Sequence, residues 1–486
     1  MQRLPYSSLA PFFAAAALFL GGCGDDGGFD GGGGGTYGAT TGGQPPPPAP
    51  VESQPSESPA CAELDASKPL VLYLSSDDSN SMASPARARE SLAATGKPPS
   101  GIRTYEFLNY FRIDFPAPQG TLGIYADARE AAAPGEFSLQ LGVRAPDPPQ
   151  QRRPMTLTFS IDTSGSMDGH GIERARAAIL ALASRLQEGD VVNAVTWSTE
   201  QNVLLDNHQA SGPNDATLVS MANSLATNGG TNLNAGLVKG YELAQQTYNP
   251  NRLNRLILIS DGGANVGVTE EEMIGMNSEL GDDEGIYLVG IGTGPVQSYS
   301  DLLMDVVTDA GRGAYVYLDT PEEAKRILAD RFDEVMEVAA RGVQVELSLP
   351  WYFQMAKFYG EEYSTDPKEV KPQHLAPGDA MVFLQTLKAC DASVVNLADP
   401  IAISVKWQEP ITHTARQTGL QTTLSALLGG DHAAIDKGLA IVAFAEALKA
   451  PGDAAYADAR SKLDAADPDR VDPDLVEIGT LLDLAE

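Results

Sequence analysis

The sequence predicts an α/β protein in which a doubly wound, mainly parallel sheet is inserted into an antiparallel β-sandwich, with small helical regions at both flanks. Strands rich in Val and Ile alternate with amphipathic helices from Met155 to Ala339. This alternation is typical of a parallel sheet that helices cover on both faces. On either side of that stretch, at 137–143 and 343–349, apolar residues alternate with polar ones. Such a period of two indicates half-buried antiparallel strands.

Composition narrows the classes of partner. The chain has 486 residues, enough for two or three packed domains, and a formal net charge of −32. Nucleic-acid binding requires clustered Lys and Arg, so we expect no nucleic-acid partner. The same charge disfavours docking of the protein body on an anionic membrane face. The acidity serves solubility or draws divalent cations to focused sites.

The N-terminus, residues 1–23, is predicted to be a signal peptide that ends in a lipidation site. A short apolar run, Pro11 to Leu20, is too short to span a bilayer and has the length of a signal-peptide core. Small residues then lead into Cys23. This segment resembles the lipobox of bacterial lipoproteins, which implies that Cys23 carries a lipid anchor. The alternative is an ordinary cleaved signal with an incidental cysteine.

A disordered tether is predicted at 24–67, because a glycine run at 31–35 and prolines at 45–48 cannot form a core. The two remaining cysteines, Cys61 and Cys390, are too few for a disulfide scaffold. They can pair in an oxidising compartment, or remain as two free thiols.

The rest of the chain divides into four predicted regions. The first precedes the parallel sheet and contains two helical segments and a strand. The sheet domain itself ends in one long helix, Pro321 to Ala339. A β-sandwich region and a helical region with an Ala-rich helix at 433–449 follow. The predicted bounds are 68–152, 153–340, 341–410 and 411–486.

Polar residues cluster where the strands of the sheet domain end. Asp162, Ser164 and Ser166 follow the first strand, Thr231 precedes a helix, and Asp261 ends a later strand. In parallel sheets, ligands bind at the carboxyl ends of the strands. Carboxylate and hydroxyl oxygens suit hard cations such as Mg2+, Ca2+ or Mn2+ rather than zinc. The i, i+2, i+4 spacing of the first three allows them to converge on one ion.

At these five positions the sequence resembles the von Willebrand factor A (VWA) family, whose domains have a Rossmann-like sheet, and its metal-ion-dependent adhesion site. The family motif is Asp-x-Ser-x-Ser, a distant Thr, and a distant Asp in an Asp-Gly pair. The resemblance implies that the serines and the threonine can ligate the metal directly, and that a protein partner supplies an acidic residue to a vacant position.

Over residues 70–486 the chain also resembles the YfbK-like group of bacterial VWA lipoproteins. The resemblance rests on Asn-Tyr-Phe at 109–111, Pro-x-Pro at 116–118 and Gly-Ile-Gly-Thr-Gly at 290–294. Gly263 is a departure, because many relatives have an acidic residue there.

The leading functional hypothesis is therefore a non-enzymatic, membrane-tethered protein-binding module of the cell envelope that depends on a divalent metal. A passive envelope scaffold with a structural metal is the alternative, and a metal-assisted hydrolase is a weaker one. The chain has no HExxH, GxSxG or Walker motif, and no Ser-His-Asp set is apparent among its five histidines. We expect no small-molecule substrate.

Overall fold

The computed structural model describes residues 60–77, 80–263, 268–280 and 283–486. Cys23, the predicted signal peptide and residues 24–59 of the predicted tether lie outside these ranges. Within them, no helix combines the length and the apolarity needed to cross a bilayer.

The region before the sheet domain consists of strands and helices that pack against both later parts of the chain. Their bounds are β1 (Leu70–Ser75), α1 (Ala83–Thr95), α2 (Thr104–Tyr110), β2 (Gly123–Glu130) and β3 (Glu136–Arg144).

The sheet domain alternates strands and helices as the sequence predicts. Its elements are β4 (Met155–Asp162), α3 (His170–Ala183), β5 (Val191–Trp197), β6 (Gln201–Gln209), α4 (Ala216–Ser224), α5 (Leu233–Gln246), β7 (Leu253–Ser260), α6 (Val268–Ser278), β8 (Glu279–Leu280), β9 (Asp283–Glu284), β10 (Tyr287–Gly292), α7 (Asp301–Gly311), β11 (Arg312–Tyr317), α8 (Pro321–Lys325) and α9 (Phe332–Met336).

Six of these strands form one sheet in the order β11-β10-β7-β4-β5-β6. All neighbours are parallel except β5 and the edge strand β6. The side chains of β4 and β7 that point to one face pack with α3, and the opposite face of β7 packs with α5. Because both faces are covered, every residue of β4, β5 and β7 is buried, including polar ones such as Thr158 and Ser160 of β4.

The chain after the domain supplies further strands and four helices. They are β12 (Ala340–Leu349), β13 (Phe353–Phe358), β14 (Glu362–Ser364), β15 (Gln373–Leu375), β16 (Ala380–Ala389), β17 (Pro400–Gln408), β18 (Ala415–Thr423), α10 (Leu424–Leu427), α11 (Ala433–Lys449), α12 (Asp453–Ala466) and α13 (Pro473–Ala485).

A β-sandwich forms from strands on both sides of the inserted domain. One sheet has the order β14-β1-β12-β17-β18, with β15 beside β12, and the other has the order β13-β16-β3-β2. Apolar side chains of the two sheets, such as Leu141, Leu347 and Phe383, share one core and are fully buried. The predicted fold class is confirmed: a mainly parallel α/β domain is inserted in an antiparallel sandwich.

Three of the predicted regions differ from the structure. β18 lies in the predicted helical region 411–486, because this polar, largely exposed edge strand lacks an apolar alternation. The predicted helix Pro321 to Ala339 is interrupted by a π-helical turn at Arg326–Asp330 and ends at Met336. Residues 60–67, predicted to belong to the tether, include a 3-10 turn at Cys61–Glu63. A disulfide fixes that turn to the sandwich.

This disulfide joins Cys61 to Cys390, whose Cα atoms lie 5.2 Å apart. Cys390 directly follows β16, so the bond connects the start of the described chain to the sandwich. The pairing is one of the two alternatives that the sequence leaves open.

Candidate metal centre

Asp162 is the last residue of β4, and the other four predicted site residues lie on loops at the carboxyl edge of the parallel sheet. β4 and β7 are neighbours, and Ile161 is in register with Ile259. Asp162, the last residue of β4, and Asp261, directly after β7, are therefore brought to adjacent positions on this edge.

Asp162 is fully buried, and neutral groups satisfy its carboxylate. The Ser164 backbone N–H donates to Oδ1 at 2.9 Å, and the Ser260 hydroxyl donates to Oδ2 at 2.8 Å. Burial raises the pKa of Asp162 to about 6, although the hydrogen bonds from Ser164 and Ser260 oppose this rise. The negative charge of nearby Asp261 raises the pKa further.

The two motif serines converge in the loop after β4. Their Oγ atoms lie 3.1 Å apart. Ser164 is buried, whereas Ser166 is exposed to solvent. A 3-10 turn at Gly165–Met167 sets this geometry. The Gly165 N–H also donates to the Gly229 carbonyl oxygen at 3.1 Å, which ties the first loop to the loop that contains Thr231.

Asp261 completes the cluster from the other side. Its side chain is almost fully buried, and Oδ1 accepts a hydrogen bond from the Gly263 N–H at 2.9 Å. A Cβ atom placed on Gly263 would lie 2.9 Å from this oxygen and 3.6 Å from the Ser166 Oγ. The Asp261 carboxylate and the Ser166 hydroxyl therefore border the same small space, and Gly263 leaves that space open.

Thr231 stands apart from the other four because its side chain is exposed. It lies two residues after Gly229, whose contact with Gly165 brings this loop to the site. Hydrogen-bond distances thus link Asp162, Ser164 and Ser166, Asp261 borders the same space as Ser166, and Thr231 lies at the rim.

The donor set fits a hard cation. It consists of two carboxylates and three hydroxyls, all of them oxygen donors. In the part of the chain that the structure describes, no Lys, Arg or His forms a salt bridge with Asp162 or Asp261, although both are buried. Two buried carboxylates without a counter-charge are costly unless a cation neutralises them. Among the described residues, no three His, Cys, Asp or Glu side chains lie together as a possible metal site; this site has two carboxylates and takes its other oxygen donors from hydroxyls.

Ser260 is a site residue that was not predicted from the sequence. Its hydroxyl donates to Asp162 and also accepts a hydrogen bond from the Gly262 N–H at 3.1 Å, so it links the two carboxylate loops. The one available signal was a hydroxyl residue at the end of a buried strand, directly before an Asp-Gly pair.

The fold and these loops define an α/β domain with an oxygen-donor site at its sheet edge. Residues 156–330 match the family model of the von Willebrand factor type A domain. The chain therefore carries a VWA domain. Domains of this family generally mediate protein–protein interactions and commonly bind divalent metals.

Similarity to individual proteins extends beyond the domain. The chain is 26% identical over 321 residues to the uncharacterized protein YfbK of Escherichia coli (strain K12), covering 62% of this chain and 55% of YfbK. This similarity agrees with the predicted resemblance to the YfbK-like group. It is 25% identical over 223 residues to an uncharacterized protein of Synechocystis sp., covering 45% of this chain and 51% of that protein. The chain thus spans about half the length of both relatives.

Among solved structures, a von Willebrand factor type A protein from Catenulispora acidiphila aligns with a TM-score of 0.44 and 15% identity. The alignment covers 74% of this chain and 87% of that one.

Proposed function

We propose that the protein is a non-enzymatic binding module that holds a divalent cation, in the first instance Mg2+, and through it an acidic group of a protein partner. The observation that carries the proposal is the pair of buried, uncompensated carboxylates, Asp162 and Asp261, beside the adjoining hydroxyls of Ser164 and Ser166. Thr231 at the rim completes the donor set.

When bound, the cation supplies the positive charge that attracts a carboxylate of the partner. The chain's own residues have different tasks. Asp162 is held rigid by two hydrogen bonds and contributes charge, while the exposed Ser166 and Thr231 leave the site accessible from solvent. A partner with an exposed Asp or Glu can reach this edge of the sheet.

We also propose that the module is attached to a membrane of the cell envelope by a lipid on Cys23. The sequence before residue 24 supports this proposal. Attachment to a surface raises the effective concentration of the site for partners on the same surface, so a weak site suffices. Mass spectrometry of the mature protein tests the anchor: a chain that begins at an acylated Cys23 supports it, and an unmodified cysteine contradicts it.

Thermal unfolding with Mg2+ or with EDTA tests metal binding. A ligand at 100 times its Kd stabilises a protein by about 2.7 kcal/mol, so Mg2+ should raise the melting temperature of the wild type. Asp162→Ala should abolish that response. The matched control is Glu173→Ala, which removes an exposed acidic residue on α3 outside the five-residue set. Identical responses of the wild type and Asp162→Ala would refute the metal site.

Partner binding is tested separately, by capture of envelope proteins on the immobilised chain with Mg2+ or with EDTA. We expect a partner that is retained only with Mg2+ and only by the wild type, not by Asp162→Ala. Mg2+-dependent stability without any Mg2+-dependent partner would instead identify a scaffold with a structural metal.

A further inference from the structure

The segment Thr293–Gly294, directly after β10, packs against two loops of the candidate metal centre. The Thr293 N–H donates to the Ser260 carbonyl oxygen at 3.1 Å, and the Thr293 hydroxyl lies 3.6 Å from the sulfur of Met167. Gly294 contacts Asp261 so closely that an added Cβ would lie 2.6 Å from the Cβ of Asp261. This segment therefore packs directly against Asp261 and against the loop that follows β4.

Arg174 on α3 forms hydrogen bonds with this segment. Its Nη1 donates to the carbonyl oxygens of Gly294 at 3.1 Å and Thr293 at 3.4 Å. The Arg174 side chain is only 7% exposed, so its guanidinium has little access to water.

The charge of Arg174 is balanced from outside the sheet domain. Glu90 on α1 forms a two-point ion pair with it, at 2.9 Å to Nη2 and 3.3 Å to Nη1. The Tyr317 hydroxyl donates to the Glu90 carboxylate and lies 2.5 Å from the Gly294 carbonyl oxygen. Glu90 precedes the residues that match the family model. The N-terminal region thus contributes a charged group to the support of the site.

We infer that Glu90 is a positioning residue for the metal centre: it orients Arg174, which fixes the Thr293–Gly294 segment against which Asp261 packs. The inference rests on the proposed metal binding. Groups that hydrogen-bond directly to metal ligands typically change metal affinity about 10- to 100-fold when they are replaced, and because Glu90 acts through Arg174 we expect the lower end of that range. Without the Glu90 carboxylate, the nearly buried guanidinium loses its counter-charge, and we expect it to shift toward water and away from the two carbonyl oxygens.

The test is the affinity for Mn2+, measured on the full chain by electron paramagnetic resonance, in which free Mn2+ gives the signal. Glu90→Gln should weaken Mn2+ binding about tenfold at unchanged stoichiometry. The matched control is Glu477→Gln. Glu477 is similarly half-buried and pairs with Arg89 of the same helix α1, but its partners face α8 rather than the metal centre. Loss of an ordinary ion pair at α1 should leave the affinity for Mn2+ unchanged.

A Kd of Glu90→Gln within twofold of the wild type overturns the inference, as does an equal weakening in Glu477→Gln. If Glu90→Gln does not fold, Glu90→Asp keeps the charge on a shorter side chain and should give an intermediate loss, whereas wild-type affinity overturns the inference. A wild type that binds no Mn2+ refutes the proposed function, and with it the inference. Wild-type binding that Asp162→Ala abolishes and Glu90→Gln leaves intact refutes the inference alone.

Discussion

Replacement of Asp162 by asparagine should stabilise the metal-free protein and at the same time remove its response to Mg2+. Asparagine has nearly the shape of aspartate; it can keep the hydrogen bond from Ser164, while the one with Ser260 reverses its direction. Its Oδ1 accepts from the Ser164 N–H, and its Nδ2 donates to the Ser260 hydroxyl oxygen. The substitution therefore removes the negative charge and leaves the packing of a fully buried side chain unchanged.

The magnitude follows from the pKa of the carboxyl group. Burial raises the pKa of Asp162 from 3.8 to about 6 in the folded protein. At neutral pH, ionised Asp162 therefore costs the metal-free fold about 3 kcal/mol. This cost shrinks as the pH falls through about 6 and disappears below the unfolded pKa of 3.8, where both states are protonated. The metal-free wild type should thus gain stability from this residue between pH 7 and pH 4.

Urea unfolding followed by circular dichroism measures the effect. In EDTA at pH 7.5, Asp162→Asn should be about 1 to 3 kcal/mol more stable than the wild type, because the cost of the buried charge is gone. This difference in the free energy of unfolding should become smaller as the pH falls toward 4. In excess Mg2+ the order should reverse, since only the wild type gains binding energy. A variant that is less stable than the wild type in EDTA at pH 7.5 would refute the reasoning.

Three further predictions concern the fold. Asp215 caps α4 by accepting hydrogen bonds from two backbone N–H groups, and its hydrogen bonds hold the pKa of its carboxyl below the usual value. Asp215→Ala should therefore lower the free energy of unfolding in urea at pH 7 by about 1 to 2 kcal/mol. Because that stabilisation is present above about pH 4 and lost as the pH falls below it, the stabilities of the two proteins should become equal in acid. Asp190→Ala leaves buried Arg152 without its counter-charge and should cost about 3 to 5 kcal/mol by the same assay, whereas a loss below 1 kcal/mol contradicts the ion pair seen here. Cys61→Ser should lower stability by about 2 to 4 kcal/mol and expose Cys390 to alkylation without reductant; two alkylated thiols in the unreduced wild type would disprove the bond.

Strands that are buried on both faces could be predicted from sequence, because burial favours apolar residues such as the run at 256–259 in β7. β6 and β18 could not. Both are edge strands, most of their residues are exposed, and their polar sequences carry no periodicity. Hydrogen bonding to one neighbour, rather than burial, keeps them in the sheets. The interruption of the helix after Pro321 likewise depends on packing against α3 and on the turn into β12, and no Pro or Gly marks it.

The candidate site shows the same division. Its ligand loops could be predicted because each donor lies within a few residues of a strand or helix end, where the fold class places it. The supporting contacts could not be predicted. Glu90 and Arg174 are 84 residues apart, and no spacing rule relates two charges on helices that meet only in the folded chain. The role of Ser260 could not be predicted either, because it is one of the buried residues of β7.

The disulfide between Cys61 and Cys390 determines how the fold carries mechanical load. A force applied to the chain before Cys61 passes directly to the end of β16, an interior strand with β13 and β3 on its two sides. The longer path through residues 62–69 to β1 then carries no force. While the bond is intact, β1 is not peeled from β12, and resistance comes from a strand that is hydrogen-bonded along both edges. Reduction of the bond would transfer the whole load to β1.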